Sequence, residues 1–339
     1  MSDLYTSFSE YMQEWLYGDD GYYATYKNIG KSGDFYTAVS TSKFFGGTIA
    51  KHIVSLVDDG FLENDAVICE IGAHHGYFLA DIIEFIYTLR PELLQTFQFV
   101  IIERFDDLQK HQREYFKESF GDVVQLTQHK SLKDLQCENA FFIANEIFDA
   151  FPCELYFKGH VARVEGHDVK FDVENDWVKF KAQKYHKDRG EIALGYEEFA
   201  NEMALSAKKF EFMSFDYGEM QARPDFSLRV YAQHKVLPFF LEESHEDFIL
   251  REDLFAKSDI TYDVTFEHVK DAFEDAGVTF LELKAQMVAL VDMGILELLE
   301  ILKEKADEQI YKQELEKVKI LIMPDFLGER FKMIRFRNQ

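Results

Sequence analysis

Near the start of the chain, Leu4, Phe8, Tyr11, Met12, Trp15 and Leu16 recur at helical spacing, which predicts an amphipathic helix over residues 4–17. A stretch rich in Gly and Tyr, 18–37, reads as an ordered loop, and a second helical pattern covers 42–57. The rhythm then changes. Short, largely apolar runs at 66–71, 97–102 and 140–144 alternate with helical patterns at 77–89 and 106–120, and a short strand is expected at 123–126. Buried strands of this kind, separated by helices, predict βαβ units and a parallel sheet. Between Cys153 and Lys181 the segments VARVEG, VKFDVE and WVKFKA alternate with period two, which predicts an inserted antiparallel β meander. A helix follows at 196–209, then a strand at 210–215 ended by Asp216, Tyr217 and Gly218. Further helices are expected at 265–276 and, long and charged, at 296–320, with a last strand at 331–337. The expected fold class is α/β, a doubly wound sheet. Its expected organisation is an N-terminal helical segment and loop over 1–60, the sheet domain over 61–152 and 196–339, and the meander over 153–195.

Composition narrows the partners. The 339 residues hold 37 Lys and Arg against 62 Asp and Glu, a formal charge of −25. Such a surface repels phosphate backbones and anionic lipids, so neither nucleic acid nor a membrane is expected as partner, whereas a cationic protein segment would be attracted. Cys69, Cys137 and Cys153 show no CxxC spacing, which fits reduced thiols rather than a zinc site or a disulfide framework. The opening residues MSDLYTSFSEYMQEW lack the basic and apolar regions of a secretory leader, and no apolar run reaches membrane-spanning length. A cytoplasmic protein is expected.

The segment VICEIGAHHGYFLADII carries the chemistry. A buried strand ends at Glu70–Ile71, a turn begins at Gly72–Ala73, and Gly76 opens a helix. Ligands of open α/β sheets bind at such carboxyl ends. Glu103 closes the second strand, where an acid can accept hydrogen bonds from both ribose hydroxyls of an adenosine. A dinucleotide would want G-x-G-x-x-G, but positions 72, 74 and 77 are Gly, His and Tyr. S-adenosylmethionine has no pyrophosphate and demands less of the glycines, and Glu70 suits its cationic amino acid portion. His74 and His75 lack a third ligand at useful spacing, so a solvated pair of imidazoles is expected rather than a metal site.

Several motifs stand in order along the chain: LYGDDGYY (16–23), GDFYTAVSTSKFFG (33–46), EIGAHHGYFLADI (70–82), ERFDDLQKHQ (103–112), ANEIFDAFP (144–152), FDYG (215–218), SLRVYAQH (227–234), DITYDVTF (259–266), QMVALVDMGI (286–295) and LGERFKM (327–333). On these motifs the chain resembles the MidA family, the mitochondrial complex I assembly methyltransferases and their bacterial relatives, from about Tyr11 to Met333. The resemblance implies a class I methyltransferase (Rossmann-like) fold. It implies that Gly72, Gly76 and Glu103 hold S-adenosylmethionine, with Gly33, Asp34, Phe35 and Thr37 closing over it. Mitochondrial members are protein arginine methyltransferases. The chain departs from the family at three positions: His74 replaces a turn glycine, and Asp263 and Thr265 replace the His and Asp of D-I-T-x-H-V-D-F. The first bears on cofactor affinity, the others on the substrate site or turnover.

Methyl transfer from a sulfonium is an in-line displacement, so the enzyme chiefly positions a nucleophile. A guanidinium is cationic and needs carboxylates to orient it. Asn145 and Glu146, after the 140–144 strand, are expected at the methyl end, with Asp149 and Asp216 supporting the substrate. Asp149 as a helix cap and Asp216 as a turn former are the structural alternatives. His234 either accepts a proton or packs. The expected function is methylation of an exposed arginine in a protein partner. The competing readings are an assembly factor with a decayed cofactor site and, disfavoured by the failed fingerprint, an oxidoreductase.

Overall fold

The computed structural model describes residues 5–24, 38–232, 235–245 and 247–339. They pack as two compact units. The described residues of 36–146, 200–216 and 273–339 form a sheet unit, and those of 1–35, 147–199 and 217–272 form a second.

The sheet unit is built on β1 (Val67–Ile71), β2 (Gln98–Ile102), β3 (Leu126–His129), β4 (Cys137–Asn145), β5 (Ala207–Glu219), β6 (Thr279–Ala285) and β7 (Phe331–Asn338). Their order across the sheet is β3-β2-β1-β4-β5-β7-β6. Strands β1 to β5 pair in parallel, and β6 runs antiparallel to β7. This is the doubly wound arrangement that the resemblance implies. Order reverses between β1 and β4, and such a switch point opens a crevice at the strands' carboxyl ends. The largely apolar runs of β1, β2 and β4 follow from having both faces covered. Helices Phe44–Asp58 and Tyr77–Leu89 give Phe45, Ile49, Ile53, Leu79, Ile82 and Ile86 to the main core. The Phe45 ring stacks on Phe78 at 4.8 Å and meets Phe215 edge-on at 4.9 Å. Close approach of the two helices depends on Gly46, where a Cβ would lie 2.6 Å from the Asp81 Cβ.

In the second unit, strands Cys153–Phe157, His160–Glu165, Asp168–Val173 and Arg189–Ala193 form an antiparallel sheet, as the period-two alternation predicts. One expected strand is absent. The WVKFKA segment lies in a helix, Asp176–Lys184, capped by Asn175, whose side chain accepts the Val178 N–H. Val178 and Ala182 then share one buried face with Tyr156, Val161 and Ile192. A three-stranded sheet, Lys235–Pro238, Arg229–Ala232 and Asp259–Thr261, completes the unit with helix Phe8–Tyr17. That helix carries a Ser7/Glu10 capping box, and its Trp15 indole donates to the Ser258 carbonyl at 2.7 Å.

Boundaries elsewhere shift from the sequence expectation. The third strand begins three residues later than expected, at Leu126, and the strand through Phe215 runs on to Glu219. The charged helix divides into Ile295–Lys305 and Glu308–Ile322, because Asp307 caps the second by accepting the Ile310 N–H. No described helix is long and apolar enough to cross a membrane.

Candidate active site

Strand β1 ends in a tight turn tied to its neighbour. The Gly72 N–H donates to the Ile102 carbonyl at 3.0 Å, and the Gly76 N–H closes the turn on the Ala73 carbonyl at 2.7 Å. Gly72 and Gly76 both hold left-handed backbone, φ 70° and 78°. At Gly76, which opens helix Tyr77–Leu89, an added Cβ would also press within 3.0 Å of the Phe116 ring. Gly72 is exposed and offers bare backbone at the strand end, whereas Ala73 is buried.

Glu70 is buried and accepts the Leu79 N–H at 3.0 Å. One of its oxygens therefore satisfies a donor in the first turn of a helix whose N-cap glycine has no side chain to offer. Burial pushes its carboxyl up to about 8. Glu103, buried at the end of β2, accepts the Phe105 N–H at 3.2 Å, and burial pushes it up to about 7. Two glutamines of helix Asp106–Phe120 brace this corner. Gln109 donates to the Glu103 carbonyl and Gln112 to the His74 carbonyl, each at 2.7 Å. Gln112, fully buried, also lowers the Glu103 carboxyl by hydrogen bonding. Sequence reasoning missed both, though their three-residue spacing places them on one helix face.

His74 sits at φ 47°, a left-handed conformation that costs a side-chain-bearing residue and suits glycine. The imidazole pair is not the expected solvated one: His75 is buried, the rings lie 4.0 Å apart edge-on, and burial beside His75 pushes His74 down to about 3. His74→Gly is expected to relieve the backbone by about 1 kcal/mol and to bind S-adenosylmethionine more tightly, because the turn loses an imidazole. Thermal melts and titration calorimetry check both. Weaker binding by a folded variant would make the imidazole a ligand contact.

At the end of β4, Glu146 also lies in left-handed backbone, φ 54°, with its N–H donating to the Phe215 carbonyl at 2.8 Å. Strained non-glycine backbone of this kind gathers at functional sites. Asn145 donates to Glu146 Oε1 at 2.8 Å, and its buried Oδ1 has no hydrogen-bond partner among the described residues. Asp216 is fully buried inside β5 rather than past its end, so it shapes no turn.

Asp149 belongs to the second unit, in the short turn Phe148–Ala150. It is buried and accepts the Tyr217 hydroxyl at 2.5 Å. Desolvation pushes its carboxyl up to about 6. Asp263 forms ion pairs with Arg229 and Arg223, and Thr265 is buried nearby in sequence at Val264–Thr265. Gly33, Asp34, Phe35, Thr37 and His234 lie outside the described residues.

The turn, with two left-handed glycines and a buried acid on the adjacent strand, has the form a nucleoside cofactor requires. The model of the Methyltransf_28 family, S-adenosyl-L-methionine-dependent methyltransferases, matches residues 48–284. The chain belongs to this family, as its MidA motifs imply. It is therefore a methyltransferase that uses S-adenosylmethionine. Among relatives, the protein arginine methyltransferase NDUFAF7 of rat mitochondria is 24% identical over 95% of this chain and 79% of its own length. A COG1565 superfamily structure from Burkholderia thailandensis, bound to S-adenosyl-homocysteine, superposes with a TM-score of 0.82 at 20% identity, covering 98% of this chain and 87% of that one. A native structure of a protein of the same superfamily and organism gives 0.79 at 22% identity, with the same coverage. These likenesses fix the class I fold.

Within that fold, Gly72 and Ala73 would face the cofactor through their backbone, and Glu103 would take the ribose hydroxyls. Asn145 Oδ1 is a buried acceptor without a partner among the described residues, at the end of β4 where the methyl end is expected.

Proposed function

We propose that this methyltransferase transfers its methyl group to an arginine side chain of a protein partner. The observation that carries the reading is the pair of acids that the sheet unit holds on neighbouring strands, Glu146 just past the end of β4 and Asp216 within β5. A cationic acceptor approaching a sulfonium is repelled by it, and nearby carboxylates offset that repulsion. The excess of 25 negative charges and the relationship to a rat protein arginine methyltransferase support the same substrate class over nucleic acid or lipid.

When bound, the cofactor supplies an electrophilic methyl on a sulfonium. The chain's residues do the rest. Glu103, Gly72, Ala73 and Gly76 hold and orient the nucleoside end, and Glu70 keeps the helix start in place. Asn145 and Glu146 line the methyl end, while Asp149 and Asp216 orient the guanidinium and hold negative charge against it. A second reading, an assembly factor with little turnover, draws on His74, which places an imidazole where the family's motif has glycine.

The test is incubation of the protein and isotopically labelled S-adenosylmethionine with extract of a strain lacking the gene, followed by mass spectrometry. Label on protein arginine is expected. Label on RNA, lipid or a free metabolite refutes the reading, and label on lysine or glutamine refutes its arginine half. Absence of label favours the assembly factor.

A further inference from the structure

The side chains around Asp149 form a directed chain of hydrogen bonds that the reading above does not use. Tyr217 Oη lies 2.5 Å from Asp149 Oδ2 and 2.5 Å from Thr261 Oγ1. A phenol has one proton to give, and a carboxylate can only accept. The Tyr217 proton therefore goes to Asp149, and Thr261 donates to the phenol oxygen. Hydrogen bonds joined in series polarise one another, most effectively in a buried setting such as this one.

A guanidinium lies over this chain. The Arg229 carbon Cζ is 4.5 Å from the centre of the Tyr217 ring. A cation held against a phenol face is attracted by the ring's electron density. By drawing on that density it makes the hydroxyl a stronger donor. Arg229 is nearly buried and is held by Asp263, which also pairs with Arg223. Its Nε is buried and has no hydrogen-bond partner among the described residues. Four separate elements thus converge: the Phe148–Ala150 turn, β5, and strands Arg229–Ala232 and Asp259–Thr261.

We propose that Arg229 is a positioning residue that acts through the Tyr217 phenol to hold Asp149 as an oriented carboxylate, with Asp263 balancing its charge. The proposal rests on the reading that Asp149 orients a cationic acceptor. Asp263 is central to it, because an unbalanced guanidinium beside that carboxylate would repel the acceptor. The ionisable groups acting on or beside Asp149 are Tyr217, Arg229 and Asp263, together with Tyr23 and Tyr262. Tyr23 is in turn anchored on buried Asp259 at 2.9 Å. Burial raises the Asp149 carboxyl, and the Tyr217 hydrogen bond and the Arg229 charge oppose that rise.

The direct test follows the Asp149 carboxyl by NMR in protein carrying carbon-13 at aspartate carboxyls, with Asp149→Asn for assignment. Arg229→Met is expected to move the Asp149 titration midpoint up by about one pH unit or more, and Tyr217→Phe to move it up as well. Asp263→Asn is expected to move it down. Arg229→Met and Tyr217→Phe should combine to less than the sum of their shifts, since both act along one path. An unchanged midpoint in folded Arg229→Met overturns the proposal. Should that variant not fold, unchanged midpoints in Tyr217→Phe and Asp263→Asn overturn it equally. The underlying reading fails separately: a folded Asp149→Asn that methylates arginine peptides at the wild-type rate removes Asp149 from the substrate's side, whatever the NMR shifts.

Discussion

Replacing Glu103 with alanine is expected to weaken S-adenosylmethionine binding by about 1.5–3 kcal/mol, on the order of ten- to a hundredfold. Glu103 is a buried acid at the carboxyl end of β2, next to the glycine turn that ends β1. On the proposed reading a carboxylate there would accept both ribose hydroxyls, and hydrogen bonds to a charged group exceed those between neutral partners. Titration calorimetry reads the loss directly. Undiminished affinity in folded Glu103→Ala would remove the residue from the cofactor site.

The same carboxyl makes binding respond to pH, and the sign follows from its protonation. Burial holds Glu103 up at about 7, so below neutrality it carries a proton. Two ribose hydroxyls donating to it require the ionised form, so binding must expel that proton. Affinity should therefore fall as pH drops below 7, by up to about tenfold per unit, and level off above it. Glu103→Gln should flatten this slope. Any slope that remains comes from another group whose protonation changes on binding. Calorimetry in buffers of different ionisation enthalpy counts the protons released, and a count of zero below pH 7 contradicts the assignment.

The place of Glu70 and Glu103 at the ends of adjacent strands was legible because the sheet announces itself. Largely apolar runs such as Phe97–Ile102 suit a parallel sheet covered on both faces, and an acid closing such a run stands at a carboxyl end, where ligands of such sheets bind. Helices Tyr77–Leu89 and Asp106–Phe120 take the bounds that their periodicity predicts. Elsewhere local chemistry overruled the pattern. In WVKFKA, Val178, Phe180 and Ala182 alternate as in a strand, but the Asn175 cap starts a helix, which buries Val178 and Ala182 and leaves Phe180 exposed. The pairs of opposite charge across 296–320 hid a break that Asp307 marks by capping. Backbone conformation is a further blind spot, since nothing in the letters EIGAHHG shows that His74 occupies left-handed space. The surroundings of Asp149 were not legible at all. Tyr217, Arg229 and Thr261 come from segments far apart in the chain, and no local pattern brings them together.

Glu146→Gln is expected to abolish most methyl transfer while leaving cofactor affinity near that of the wild type. The substitution keeps the shape and one hydrogen-bonding oxygen, so Asn145 Nδ2 retains its acceptor. It removes the charge. On the proposed reading, Glu146 lies at the methyl end, where a guanidinium must come within bonding distance of a sulfonium. Electrostatic groups aimed at such a charge contribute about 3–4 kcal/mol, a loss of roughly 100- to 1000-fold in rate. Cofactor binding should survive, because the nucleoside end rests on Glu103 and the glycine turn rather than on β4. The left-handed backbone at Glu146 supplies a control. Glu146→Gly relaxes that conformation and also deletes the carboxylate, so it should be folded, no less stable, and as inactive as Glu146→Gln. Single-turnover rates against an arginine peptide, with calorimetry for the cofactor, separate the two quantities. A Glu146→Gln variant that turns over at the wild-type rate would show that the carboxylate at the end of β4 takes no part in offsetting the acceptor's charge.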